Sequence, residues 1–229
     1  MRVLTWNLFH GRSVPPAGRA LDAQFAARFA EWDWDVALLQ EVPPWWPAPL
    51  ARASSAQHRS ALTSRNALLA LRRAVADRRP DLIKSNGGGC NAILARGAIA
   101  EHRSLRLRIW PERRVAQLLR LGDGTCVANF HASTRVPLAE AELRQLWNDA
   151  LAWAGRAALI VGGDLNLRSP AAPAGGIAHV AYRDVDHLFA RGLDRTGPQQ
   201  LLDRRALLER GPVELSDHPP LAVGLRAPA

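Results

Sequence analysis

Arg2-Val3-Leu4-Thr5-Trp6-Asn7 and Asp35-Val36-Ala37-Leu38-Leu39-Gln40-Glu41 frame the stretch whose reading decides the fold. The first alternates and is rich in strand formers, so it reads as a strand. Between the two, Leu21, Phe25, Phe29 and Trp32 recur at helical spacing and define an amphipathic helix. The second is a short apolar run ending in a carboxylate, the pattern of a strand buried on both faces. The segment is therefore a strand–helix–strand unit.

Outward from that unit, Pro43 to Leu50 holds four prolines around Trp45-Trp46 and reads as a loop. Ala61 to Asp77 reads as a helix, and Asn86-Gly87-Gly88-Gly89 as a turn or loop with unusual backbone freedom. Strands are expected at Asn91 to Ala95, Leu105 to Ile109 and Arg114 to Leu121. Gly122-Asp123-Gly124 is a tight turn into Thr125 to His131, which makes a hairpin. Leu138 to Trp153 is a helix, and Ala157 to Val161 is an apolar strand leading to Gly162-Gly163-Asp164. After a loop from Ser169 to Gly176, late strands are expected at Val185 to Ala190 and Leu221 to Leu225. Neither a repeat nor a linker is visible, so residues 1–229 are expected to form one α/β domain. Hairpins mixed with helical crossovers fit two sheets packed face to face with helices outside.

The composition narrows the function classes. A length of 229 residues suits one α/β domain with a full core. With 48% hydrophobic and 22% charged residues, the chain reads as an ordinary globular protein. No apolar run is long enough to span a bilayer, and Met1 to Asn7 lacks the apolar stretch of a secretory signal, so a cytoplasmic location is expected. Cys90 and Cys126 lack metal-ligand spacing and are too few for a disulfide framework, so both read as reduced thiols. The formal net charge is +9, almost all of it arginine, since Lys84 is the single lysine. A basic surface attracts polyanions, although arginines dispersed over the surface would give the same total. No protein partner can be inferred.

The informative pattern is where polar groups fall. Asn7, Glu41 and His131 close strands, Asp164 and Asn166 follow one, Asp186 lies in a strand-like run, and Asp217-His218 precedes the last. Sites are built at strand ends because loops there carry side chains on a rigid frame. Hard carboxylate oxygens such as those of Glu41 and Asp217 suit magnesium. An imidazole beside a carboxylate, as His218 or His131 could be, serves as a base or as a cation against phosphate. Taken singly, each has a plain structural reading: a cap, a solvated carboxylate, a turn residue. The combination and its order decide.

That ordered set resembles the endonuclease/exonuclease/phosphatase superfamily with the DNase I-like fold. The segments carrying the resemblance are Thr5-Trp6-Asn7, Leu39-Gln40-Glu41, Gly89-Cys90-Asn91-Ala92-Ile93-Leu94-Ala95-Arg96, Asn129-Phe130-His131, Gly163-Asp164-Leu165-Asn166, Val185-Asp186-His187-Leu188-Phe189 and Ser216-Asp217-His218. The resemblance implies a four-layer αββα sandwich of two packed mixed sheets with a site at one edge. It implies Glu41 as principal Mg2+ ligand (Mn2+ being the alternative), with Asp217 and Asn7 close to the metal or to a second metal. Asp164 resembles the residue that orients or deprotonates the attacking water, and Asn166 its neighbour. His218 is similar to the family's catalytic histidine, paired with Asp186, and His131 to its second histidine. Phe9 stands where repair nucleases of the family often carry an acidic residue, and His187 where an aromatic is usual.

The leading expectation is a magnesium-dependent phosphodiesterase acting on nucleic acid. A phosphatase or phosphodiesterase for a small or lipid-headgroup phosphate fits the compact chain as well. A binding module that has lost catalysis is opposed by the intact set of polar residues. His10, Arg12 and Arg96 could meet phosphate oxygens. Trp45 and Trp46 could stack on substrate or simply pack at the sheet edge. His58, His102 and His179 show no partner pattern and read as surface residues.

Overall fold

The computed structural model describes residues 1–63, 66–82 and 89–228. The elements in chain order are β1 (Arg2–Asn7), β2 (Ser13–Val14), α1 (Asp22–Glu31), β3 (Val36–Val42), α2 (Pro47–Ala53), β4 (Gln57–Leu62), α3 (Leu69–Arg78), β5 (Cys90–Ala95), β6 (Ile99–Arg108), β7 (Arg114–Leu121), β8 (Cys126–His131), α4 (Val136–Ala154) and β9 (Leu159–Asp164). The remainder is strand: β10 (Ile177–Arg183), β11 (Asp186–Arg191), β12 (Asp194–Arg195), β13 (Gln200–Leu201), β14 (Arg205–Leu208), β15 (Gly211–Leu215) and β16 (Leu221–Arg226).

Besides a small sheet of order β14-β15-β2, one large sheet has the order β12-β16-β1-β3-β5-β4, with β13 also on β16, and the other β10-β11-β9-β8-β7-β6. Both are mixed: β1 is parallel to β3 and β8 to β9, while the other pairs are antiparallel. Val3, Leu38, Ile93, Val127, Ile160 and Leu188 fill the space between the sheets. A second cluster packs Phe25 and Phe29 of α1 onto the outside of the first sheet, and a third packs Leu146 and Trp147 of α4 onto the second. The result is the expected four-layer αββα sandwich. The central strands are buried on both faces, which is why their sequences read as unbroken apolar runs.

An amide network ties the sheets together. Gln40 Nε2 donates to Asn129 Oδ1 across the interface at 2.8 Å, and Asn129 Nδ2 donates to Leu39 O, Ala92 O and Gln117 Oε1. Buried amides must be paired to avoid a desolvation penalty, and pairing across the interface fixes how the sheets sit on each other.

Three local expectations change. Pro43 to Leu50 is not all loop, because α2 begins at Pro47, and proline is well suited to the first helical turn. The helix expected over Ala61 to Asp77 begins at Leu69, since Ala61 and Leu62 pair with β5. Of the glycine-rich turn at Asn86 to Gly89, residues 86–88 lie outside the described residues. Both cysteines are buried and free, and no helix among the described residues is long and apolar enough to cross a membrane.

Trp46 belongs to the core. Its side chain is buried, its ring lies 5.1 Å from that of Phe25, and a Cβ at Gly11 would collide with the indole. The positive φ of Gly11 and this close approach both exclude a larger residue there. Trp46→Ala is expected to destabilise the fold by about 3–5 kcal/mol in chemical denaturation, the range for truncating a buried aromatic.

Candidate active site

The register places the chemistry. His131 pairs with Asp164, and Asp164 pairs with Asp186, so one imidazole and two carboxylates lie in a row across β8, β9 and β11. On the facing sheet Asn7 lies opposite Gln40, which puts Glu41 one residue further along the same edge. β16 returns antiparallel to β1 with Leu221 opposite Thr5, and this brings Asp217-His218 to that edge as well. Ser216 Oγ donates to Asn7 O at 2.6 Å and Trp6 Nε1 to His218 O at 2.8 Å, fixing the turn that carries both.

The half-sites touch. Asn7 Nδ2 donates to Asp164 Oδ2 at 2.9 Å, and Asn7 Oδ1 accepts from the Phe9 amide at 2.9 Å. His131 Nε2 lies 3.5 Å from Asp164 Oδ2 and 3.9 Å from Glu41 Oε1. His218 Nδ1 is 2.8 Å from Asp186 Oδ2, and its Nε2 is 3.9 Å from Asp164 Oδ2. Asn166 is bound at both ends of its residue: its amide N–H donates to Asp164 Oδ1, and its Nδ2 to Ala132 O. Glu41, Asn166 and Ser216 all have positive φ, with values of 50°, 50° and 71°. Non-glycine residues in that region cost about 1–3 kcal/mol each, and such strain concentrates where side chains must be aimed.

Burial and neighbours divide the protonation states. Burial alone would raise Glu41, but the hydrogen bond and charge of His10, with the charges of His131 and His218, hold it at about 2. Burial, aided by the Arg114 charge, lowers His131 to about 4, so it is neutral at pH 7. Burial raises Asp164 against the opposing pull of His218 and Asn7. It also raises Asp186 to about 6, and Asp186 Oδ1 has no partner among the described residues. For His218, burial is outweighed by the bond and charge of Asp186, which lift it to about 9. Asp164, Asp186 and His218 have donor atoms within 4.8 Å of one another, a spacing compatible with a metal. The 2.8 Å contact of His218 Nδ1 with Asp186 Oδ2 also joins two of the three as an ion pair.

The remaining sequence candidates separate. Asp217 is half exposed beside His218. His10 Nε2 meets Glu41 Oε2 at 3.0 Å, and Trp45 lines a small cleft beside His10. The Arg12 guanidinium lies over the Phe9 ring at 3.8 Å, on the turn after Asn7. Arg96 is a correction: its amide bonds Asp35 O at the opposite end of β3, and its guanidinium donates to Ser54 O, Phe29 O and Trp32 O. It cannot reach phosphate at the site, because β5 runs antiparallel to β3 and ends at the far edge. Trp46 is likewise withdrawn from substrate contact by its burial.

His179 is exposed, as its reading as a surface residue expects, but it has partners: its Nε2 lies 3.0 Å from His187 Nδ1 and its ring stacks on Phe189. His187 is fully buried with Nε2 2.7 Å from Leu167 O, directly after Asp186. Burial lowers His187 to about 4. The unfolded chain therefore binds a proton near pH 6.5 that the folded chain refuses, and this contribution to stability is lost as pH falls from about 6.5 to about 4. His187→Phe should abolish that component. The stability gap between wild type and variant, read from urea melts, is expected to shift in favour of the variant by on the order of 3 kcal/mol across that window.

A match to the Endonuclease/Exonuclease/phosphatase family runs over residues 4–218, nearly the whole chain. The chain belongs to this family. It is therefore a hydrolase of phosphate esters. Solved structures of similar fold include an endonuclease/exonuclease/phosphatase from Beutenbergia cavernae, with 19% identity over 99% of this chain and 71% of that one and a TM-score of 0.67. Humanised D. rerio TDP2 is similar over 99% of both chains, with 16% identity and a TM-score of 0.72. The mannosyl-6-phosphatase of Bacteroides thetaiotaomicron has 15% identity over 99% of both chains and a TM-score of 0.73. No curated protein sequence matches the chain significantly. At these identities the family's structures speak to the fold alone.

Proposed function

We propose that the protein is a divalent-metal-dependent phosphodiesterase acting on nucleic acid, with Mg2+ as the expected ion. The observation that carries this reading is the row His131, Asp164, Asp186, closed by the contact of His218 with Asp186. The donor set suits a hard cation: Glu41 is ionised, Asp217 is half exposed, and Asn7 Oδ1 retains a lone pair beside its bond from Phe9. These three would hold the ion, which when bound supplies charge neutralisation at the phosphate and acidifies a water or leaving group.

The chain's own groups then divide the work. Asp164, made more basic by burial, accepts the proton of the attacking water, which Asn166 helps to hold. His218, cationic at neutral pH, donates its Nε2 proton to a phosphate oxygen while Asp186 holds Nδ1. Neutral His131 contacts the phosphate or the leaving group from the other side of Asp164.

Nucleic acid is favoured as substrate by the charge of +9 and by the rim. The turn between β6 and β7 leads into Arg114, whose charge acts on His131, and it carries Trp110 at 81% exposure. An exposed indole at the edge of a phosphoesterase site is a platform on which a base can stack. A small phosphate ester is the second reading, favoured by full-length similarity in fold to a mannosyl-6-phosphatase. Hydrolysis of supercoiled plasmid, single-stranded DNA, RNA and a generic phosphodiester, with Mg2+ or chelator, separates them, with Glu41→Ala as the control. Cleavage of nucleic acid that requires both Mg2+ and Glu41 is expected. Cleavage of the small diester alone would transfer the site to the second reading.

A further inference from the structure

Metal sites in which a carboxylate stands alone among oxygens favour Mg2+, whereas an imidazole in the ligand shell shifts preference toward later divalent ions. The turn after β1 bears on that choice. Its histidine is neither a surface residue nor a free phosphate ligand: the His10 side chain is 12% exposed and that of Glu41 18%, and His10 Nε2 is aimed at Glu41 Oε2. A Cβ at Gly89 would stand 3.4 Å from the opposite side of the ring, at Nδ1 and Cε1.

We propose that His10 is a nitrogen ligand of the cation held by Glu41, so that the site accepts Mn2+ as well as the Mg2+ expected above. This rests on the metal-dependent reading of the site given above. The distance of 3.0 Å between His10 Nε2 and Glu41 Oε2 is that of two cis ligands: bonds of about 2.1 Å meeting at a right angle place their donor atoms ~3.0 Å apart. The backbone is shaped to hold this pair. Phe9 and His10 have consecutive positive φ values of 50° and 53°, and Glu41 has 50°. Three non-glycine residues in the left-handed region, converging on one contact, are a concentration of strain that packing alone does not require. Asn7 Oδ1 accepts from the Phe9 amide and Leu8 O from the Gly11 amide, so the turn is fixed from within. Trp46 underpins it through the absent Cβ of Gly11. The second imidazole near Glu41 is not equivalent. His131 Nε2 lies 3.9 Å from the other oxygen, Oε1, and closer to Asp164, so it belongs to the reacting centre.

Mn2+ bound to the purified protein reports its ligands directly, because pulsed electron paramagnetic resonance detects a directly bonded 14N. Wild type and His131→Ala are expected to show nitrogen coupling, and His10→Asn to lose it. Asparagine tolerates positive φ and keeps the turn, which makes it preferable to alanine. Titration should show Mn2+ affinity lowered on the order of tenfold in His10→Asn, with Mg2+ affinity, measured by competition, nearly unchanged. Absence of nitrogen coupling in the wild type, or its persistence in His10→Asn, overturns the assignment of His10. If Glu41→Gln still weakens Mn2+ binding in that case, the metal-dependent reading of the site stands without it. Should Mn2+ and Mg2+ bind nowhere near Glu41, both readings fall together.

Discussion

Asp164→Asn is expected to lower kcat by about 10^3- to 10^5-fold while the protein folds normally. The side chain is buried, with both oxygens engaged: Oδ1 by the Asn166 amide and Oδ2 by Asn7 Nδ2. Asparagine is isosteric and can keep Oδ1 as acceptor, so the packing survives at the cost of the bond that Asn7 Nδ2 donates to Oδ2. What disappears is the carboxylate at the centre of the row, whose affinity for a proton burial raises and whose other carboxylate neighbour, Asp186, is taken up by His218. One neighbour, His131, is neutral with weak basicity, and the other, His218, already holds its proton. Single-turnover kinetics on the cleaved substrate would check this, and an Asp164→Asn enzyme within tenfold of wild type would remove Asp164 from the mechanism.

Asp186→Asn is expected to cost about 10^2- to 10^4-fold in kcat and to move the alkaline limb of the pH profile. In the wild type the His218 cation survives up to about 9, chiefly because Asp186 lies 2.8 Å from its Nδ1. If the cation is the active form, activity falls as pH rises through about 9. Without the carboxylate charge, burial of His218 is no longer outweighed, and the limb moves toward the ordinary histidine range near 6.5. A pH–rate profile of the variant tests this sign. A limb that stays in place, or shifts to higher pH, means His218 does not act as a cation.

The strands bearing these groups were legible because they are apolar runs that end in polar residues. Val36-Ala37-Leu38-Leu39 running into Gln40-Glu41, and Leu159-Ile160-Val161 running through glycines into Asp164, show how an apolar run gives way to polar groups, and the order of these segments along the chain carried the fold. Which end of a sheet a residue occupies was not legible from a strand alone. Arg96 follows β5 just as Glu41 closes β3, but the two strands are antiparallel, so they end at opposite edges. β4 escaped because Gln-His-Arg-Ser-Ala-Leu is a polar edge strand, with one fully covered side chain to mark its inner face. α2 escaped because its prolines, at the start of a helix, look like those of a loop. The contacts of His218 with Asp186 and of His10 with Glu41 span 32 and 31 positions, and only the register between strands discloses them.

The pairing of β1 with β16 has a consequence for synthesis. β1 is made long before β16, so the edge of β1 that β16 covers waits for it, and Asp217-His218 arrive just ahead of β16. Every nascent chain that stops short of them carries Glu41 and Asp164 without their cationic partner. The site therefore receives His218 only after the strands that carry Glu41 and Asp164 have been made.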